Sequence, residues 1–161
     1  MGLIRRLAGL GLKITGSLQF LAPLLTRLVI GVGFYYTGKG KLGDLGKVTG
    51  FFTDLGIPFP HANAVFVSTL EFVGGICLVL GLGTRIFAAL LSSSMIVALL
   101  TADKDGFIKN FPSDLIGSTE VASFSFLVFL IWLVLYGPGP LSIDRLLSKW
   151  MGLEKKTEES S

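Results

Sequence analysis

The first chemical feature of this sequence is a carboxylate, Glu71, in the middle of an apolar run, residues 62–81 (ANAVFVSTLEFVGGICLVLG). About twenty residues at ~1.5 Å each span roughly the 30 Å hydrocarbon core of a bilayer. An acid at that depth costs about 2.5–3.5 kcal/mol even on lenient insertion scales, so it needs a partner. Arg27, midway along the preceding apolar run, is the candidate. If Tyr36 and Ala64 mark one interface, Arg27 lies about 14 Å and Glu71 about 10 Å from it, and the spacing predicts an intramembrane ion pair. Gly31 and Phe34 share the Arg27 face. Ser68, Gly74, Gly75 and Leu78 share that of Glu71, and the small residues on both faces let two helix backbones approach closely.

Such a pair has two readings. As a structural lock it only specifies which helices pack together. As a site it forms the floor of a polar pocket, with Tyr35, Tyr36, Lys41, Glu120 or Asp103 at the mouth, Ser68 on the wall and an amphipathic loop as lid. With a quinone in that pocket, Arg27 or a tyrosine hydroxyl would hydrogen-bond a carbonyl oxygen, and Glu71 would exchange protons as the catalytic group.

The elements that must hold these residues follow from hydropathy. Four spans are expected over about 18–36, 62–82, 85–101 and 121–136, within a single membrane domain of residues 1–152. Residues 1–16 read as an interfacial segment rather than a signal peptide, because Lys13 and four glycines interrupt their apolar stretch. Between the first two spans, Leu45, Val48, Phe52 and Leu55 recur at helical spacing, predicting an amphipathic helix that Pro58 and Pro60 terminate. The short Gly81-Leu82-Gly83-Thr84-Arg85 turn forces the second and third spans into an antiparallel hairpin, with Thr84 capping the next helix. Ser92, Ser93 and Ser94 are expected to bond back to their own helix or to bridge to a neighbour. After Gly137-Pro138-Gly139-Pro140, residues 141–151 form a second interfacial helix, and the polar tail 153–161 is expected to be disordered.

Composition narrows the function classes. Of 161 residues, 51% are apolar and the mean hydropathy is +0.72, more than a soluble domain requires. The net charge of +3 comes from Lys and Arg scattered at the ends of apolar runs, which fits membrane-surface loops rather than nucleic acid. A single cysteine, Cys77, excludes a dithiol relay within the chain, and a single histidine, His61, excludes bis-His haem and His-rich metal sites. The acidic stretch after the third span (Asp103, Asp105, Asp114) lacks the ligand order of a calcium loop and reads as a solvated turn. Eight Lys and Arg on the terminal side, against five Lys in the two long loops, predict both termini in the cytoplasm.

Four stretches, RLVIGVGFYYTGKGKL (27–42), FFTDLGIPFP (51–60), LEFVGGICLVLGLGTR (70–85) and GPGPLSID (137–144), resemble the DoxX family of four-helix bacterial and archaeal membrane proteins. The resemblance implies an Arg at Arg27, a Lys at Lys41, a Glu at Glu71, a turn carrying Thr84 and Arg85, and a Ser-x-Asp motif at Ser142 and Asp144. Relatives often carry a His after the third span, where Asp103 stands here. Some relatives are the membrane subunit of thiosulfate:quinone oxidoreductase, and others bring soluble redox or thiol-handling proteins to the membrane. The expectation is therefore an all-α, four-span bundle in the cytoplasmic (inner) membrane, in contact with lipid. It would serve a quinone-linked oxidoreductase as a non-autonomous subunit and pair with another membrane or soluble redox subunit. No covalent cofactor, metal or nucleic acid is expected. The alternative is a non-catalytic scaffold or anchor of a larger complex.

Overall fold

A computed structural model describes residues 18–152, so the expectations for residues 1–16 and for the tail 153–161 lie outside it. The described residues are helical, without strands. In chain order the helices are α1 (Leu21–Gly43), α2 (Leu45–Asp54), α3 (Pro60–Leu80), α4 (Thr84–Leu100), α5 (Lys104–Asn110), α6 (Leu115–Glu120), α7 (Ala122–Tyr136) and α8 (Ile143–Trp150). The four long ones form a closed ring: α1 packs on α3, α3 on α4, α4 on α7, and α7 on α1. Ile30 and Phe34 of α1, Leu70 and Leu78 of α3, Ala88, Leu91 and Met95 of α4, and Leu130 and Leu133 of α7 meet in the core.

Local sequence sets the breaks. Asp44 ends α1 and starts α2, its carboxylate accepting the Lys47 amide at 3.0 Å. Pro60, whose missing N–H costs nothing in a first turn, opens α3. Gly81 closes α3 in the left-handed conformation (φ 70°), with the Leu82 amide reaching back to the Cys77 carbonyl at 2.9 Å. Gly83 (φ 56°) then turns the chain into α4. The turn produces the expected hairpin, with Leu91 packed against Gly74. Beyond Leu100 the path bends by 82° into α5.

The first helix is longer than hydropathy predicts. It does not stop at Tyr36 but continues through Thr37-Gly38-Lys39-Gly40-Lys41 to Gly43. Loss of apolar character does not end a helix whose next turn is held by tertiary contact. Here Gly38 lies against the backbone of Glu71 and Phe72. By length and composition, Pro60–Leu80 is the one described helix long and apolar enough to cross a membrane. Thr84–Leu100 passes the same test only together with the bent Lys104–Asn110, and α7 is a shorter apolar helix of 15 residues.

The α1–α3 contact is backbone on backbone. A methyl built on Gly31 would stand 2.8 Å from the Gly75 carbonyl oxygen, and one on Gly75 would stand 2.5 Å from the Tyr35 amide nitrogen. Gly75→Val should therefore destabilise the bundle by about 1–3 kcal/mol through overpacking. Gly40→Ala, where the added methyl meets nothing within 4 Å, should be neutral or stabilising by up to about 1 kcal/mol. Chemical unfolding in mixed micelles measures both, and equal effects would contradict the close approach.

Candidate functional site

The glycine contact fixes the register of α1 against α3, and the register decides which cation meets Glu71. Gly38 lies against the backbone of residues 71 and 72. Arg27, eleven residues earlier, is therefore displaced by about 16 Å along the helix axis. The expected Arg27–Glu71 pair does not form. Lys41, one turn beyond Gly38, places its Nζ 2.6 Å from Glu71 Oε1. The depth estimate fails because Tyr36 is not the end of α1, so the two helices do not share the interface from which depth was counted.

The Lys41–Glu71 pair is unequal. The Glu71 side chain is 2% exposed and that of Lys41 35%. Glu71 Oε2 is buried and has no hydrogen-bond partner among the described residues. The pair lines a cavity of about 720 Å³ between the end of α1, α2, α3 and α4. Val48, Phe51, Phe52 and Leu55 of α2 and the chain after it form one wall, Phe66 and Val67 of α3 a second, and Met95 and Val97 of α4 a third. Asp44, Lys47, Asn63, Ser93 and Ser94 add a few polar groups. A largely apolar pocket of roughly 300–1,000 Å³ with few convergent polar groups is the usual form of a small-molecule site. Of the four residues expected to form a lid, Val48, Phe52 and Leu55 (the last just past the end of α2) stand on its wall, while Leu45 does not.

Other residues expected at the pocket lie elsewhere. Tyr35 packs on Phe72 with ring centroids 5.3 Å apart, and Tyr36 points outward at 66% exposure. Ser68 is buried on α3 with its hydroxyl unpartnered, but does not line the cavity. Glu120 is exposed at the end of α6, and Asp103 accepts a hydrogen bond from the buried Ser123. The aromatic and Met lining of α2 and α4 carried no chemical signal in the sequence. The only hint was the apolar spacing of α2.

Arg27 belongs to a second polar cluster at the opposite end of the ring. Its guanidinium donates to the Leu141 carbonyl and lies so close to Gly81 that no side chain fits there. Beside it Asp144 reaches across sixty residues of sequence to cap α4. Its Oδ1 accepts the Gly83 amide at 2.6 Å and its Oδ2 the Thr84 amide at 2.9 Å, while its own amide donates to the Gly81 carbonyl at 2.9 Å. Thr84 does not cap; its buried hydroxyl has no partner among the described residues. Ser142 caps α8 through the Arg145 amide at 3.2 Å, and Arg85 lies against Gly137. Ser92 and Ser93 bond back to Ala88 and Leu90 of their own helix at 2.7 and 2.6 Å, one of the two arrangements expected for them.

A family model described as DoxX matches residues 22–104, which include Arg27, Lys41 and Glu71. Among curated proteins, the chain is similar to "Putative oxidoreductase CatD" of Bacillus subtilis (strain 168), with 29% identity over 132 residues, covering 80% of this chain and 89% of that protein. No solved structure matches the chain.

The asymmetry of the pair sets its response to substitution. Lys41→Met strands a buried carboxylate and should cost about 3–5 kcal/mol, whereas Glu71→Leu leaves a lysine that can turn to solvent and should cost less. The double variant should recover most of the Lys41→Met loss. Exchanging charges as Arg27→Glu with Glu71→Arg should rescue nothing. Unfolding free energies of the single and double variants check this, and rescue by the Arg27 exchange would contradict the register.

Proposed function

Because the chain belongs to the DoxX family, a family of membrane proteins, we propose that it is a four-span subunit of a quinone-linked oxidoreductase whose Lys41–Glu71 cavity takes a quinone. The observation that carries this reading is Glu71, a carboxylate that lines a large apolar cavity and whose buried Oε2 has no hydrogen-bond partner among the described residues. Intramembrane ionisable groups mark functional sites by default. The residues present fit the ligand. Lys41 Nζ has donors beyond the one given to Glu71 and can bond a carbonyl oxygen, and Glu71 Oε2 can accept or return a proton. Phe51, Phe52, Phe66 and Met95 offer surface to a ring and an apolar tail. When bound, a quinone supplies the two-electron, two-proton chemistry; the chain's part is to orient it, exclude water and hold one proton at Glu71. The name of the Bacillus subtilis relative supports an oxidoreductase setting, and the redox centre would come from a partner subunit.

Apolar side chains exposed along all four long helices support the membrane arrangement: Val29 on α1, Phe66 on α3, Ile86 and Leu100 on α4, Leu135 on α7. In this reading the short α7 and the bent α4–α5 pair span by virtue of their neighbours, and both termini face the cytoplasm of a bacterial or archaeal cell. A cysteine introduced at Lys104 should then label from outside intact cells; labelling only after lysis would reverse the orientation.

Organic extraction of the protein purified in mild detergent should release quinone in near-stoichiometric amount. The Lys41→Met/Glu71→Leu variant, folded but without the pair, should release at least about tenfold less, the loss expected for one charge-assisted hydrogen bond. A stoichiometric protein partner with no quinone in either sample would favour the anchor-subunit reading instead.

A further inference from the structure

The walls of the Lys41–Glu71 cavity are not equally closed. Toward the hairpin turn α3 and α4 are packed, Leu91 against Gly74. From the next turn outward both helices line the cavity instead, α3 through Val67 and Phe66 and α4 through Ser94, Met95 and Ala98. The remaining wall is α2. Among the described residues it packs on α3 and meets α1, with no comparable packing on α4. Phe51 of α2 and Val97 of α4 stand on that side. Both line the cavity, yet they are 50% and 49% exposed. Residues that face a cavity and the surroundings at once mark where the two communicate, so the cavity has a side opening between α2 and α4.

The opening is apolar. Ile96 and Leu100, beside Val97 on α4, are exposed, as is Phe66 on α3. Ser93 and Thr101, the hydroxyl residues on this flank of the cavity, are bonded back to the Leu90 and Val97 carbonyls. The charged lining residues come from elsewhere: Lys41 from the end of α1, Asp44 and Lys47 from the start of α2. Phe51 lies one to two turns further along α2 than these. A polar end and an apolar exit suit a ligand with a polar head and an apolar tail.

We propose that the opening between α2 and α4 admits the ligand sideways from the bilayer and then holds its tail, with Phe51 and Val97 setting which tails fit. The inference rests on the quinone reading of the cavity and narrows it: the ligand is a quinone with a long isoprenoid tail, not a water-soluble ring. A cavity of about 720 Å³ has room for a ring and a short chain, and the rest of a long tail must leave it. Such a tail partitions strongly into lipid, so a route that never strips it of apolar surroundings is the favourable one. The opening supplies that route, and the ring can reach Lys41 and Glu71 while the tail remains among Phe51, Val97 and acyl chains.

Two quinones that differ only in the tail test the proposal on the full chain in mild detergent, freed of endogenous quinone. Retention of a naphthoquinone with a long isoprenoid tail is measured on the immobilised protein, and the same ring with a methyl group in place of the tail is titrated calorimetrically. Val97→Trp, whose indole fills the opening, should lose at least about tenfold of the tailed quinone and bind the tail-less ring as before. Ile96→Trp, an equal enlargement at an exposed neighbour that does not line the cavity, should keep both. Undiminished retention in Val97→Trp, or an equal loss of both compounds, overturns the opening while leaving the quinone reading in place. Should Val97→Trp not fold, Cys77→Ala/Val97→Cys is exposed to a bulky maleimide after folding. Saturating tailed quinone should then slow alkylation at least about tenfold and the tail-less ring should not; an unchanged rate with the tailed quinone overturns the proposal equally. An unaltered chain that binds neither compound overturns the quinone reading and this inference together.

Discussion

Everything about the polar interior depends on how closely α1 and α3 approach. Gly31, Gly38 and Gly75 remove side chains from the contact, so amide and carbonyl groups of the two helices touch. Between helices surrounded by lipid, van der Waals packing is a main source of association, and it is strongest where backbones meet. A contact this close also allows one register only, because sliding either helix by a residue brings a side chain into the gap. Register in turn assigns the charges. Lys41 stands one turn past Gly38 and meets Glu71, and Arg27 is carried to the far end.

The two ends then solve different electrostatic problems. At one, a carboxylate is neutralised on one oxygen and left with the other free, beside apolar space. Burial of such a half-satisfied group is unfavourable for stability alone. At the other end polar groups interlock, while Arg27 Nε and Nη1 and Thr84 Oγ1 are buried without a partner among the described residues. Asp144 satisfies two amides that a helix start leaves orphaned, its own amide takes the Gly81 carbonyl, and Arg27 holds the Leu141 carbonyl. That end is a clasp joining the first helix, the α3–α4 turn and the segment before α8.

This division sets the loosely held helix beside the cavity and away from the clasp. The cavity is roofed by α2, a ten-residue helix with no fully buried residue. The clasped end carries the tight turns, with left-handed glycines at Gly81 and Gly83, and at Gly81 a Cβ would collide with Arg27. Local opening in a fold is expected where few apolar contacts are buried, which is the α2 side.

Much of this was legible in the sequence. The all-helical class, the hairpin at Gly81-Leu82-Gly83, the helix within residues 45–55 and the singling out of Arg27 and Glu71 follow from periodicity, turn chemistry and charges inside apolar runs, whereas Lys41 came forward only as one candidate at a pocket mouth and through the family resemblance. The pairing did not, because it depends on the relative displacement of two helices, and hydropathy locates a helix end only where the chain turns polar. TGKGKL is polar yet helical, held by a contact that exists only once α3 is in place. The cap from Asp144 was equally hidden: sixty residues of sequence separate it from the amides it satisfies. Sequence alone determined which groups must be buried and in which helices; the tertiary structure decided which of them meet, since backbone contact between glycines, a non-local property, sets the register.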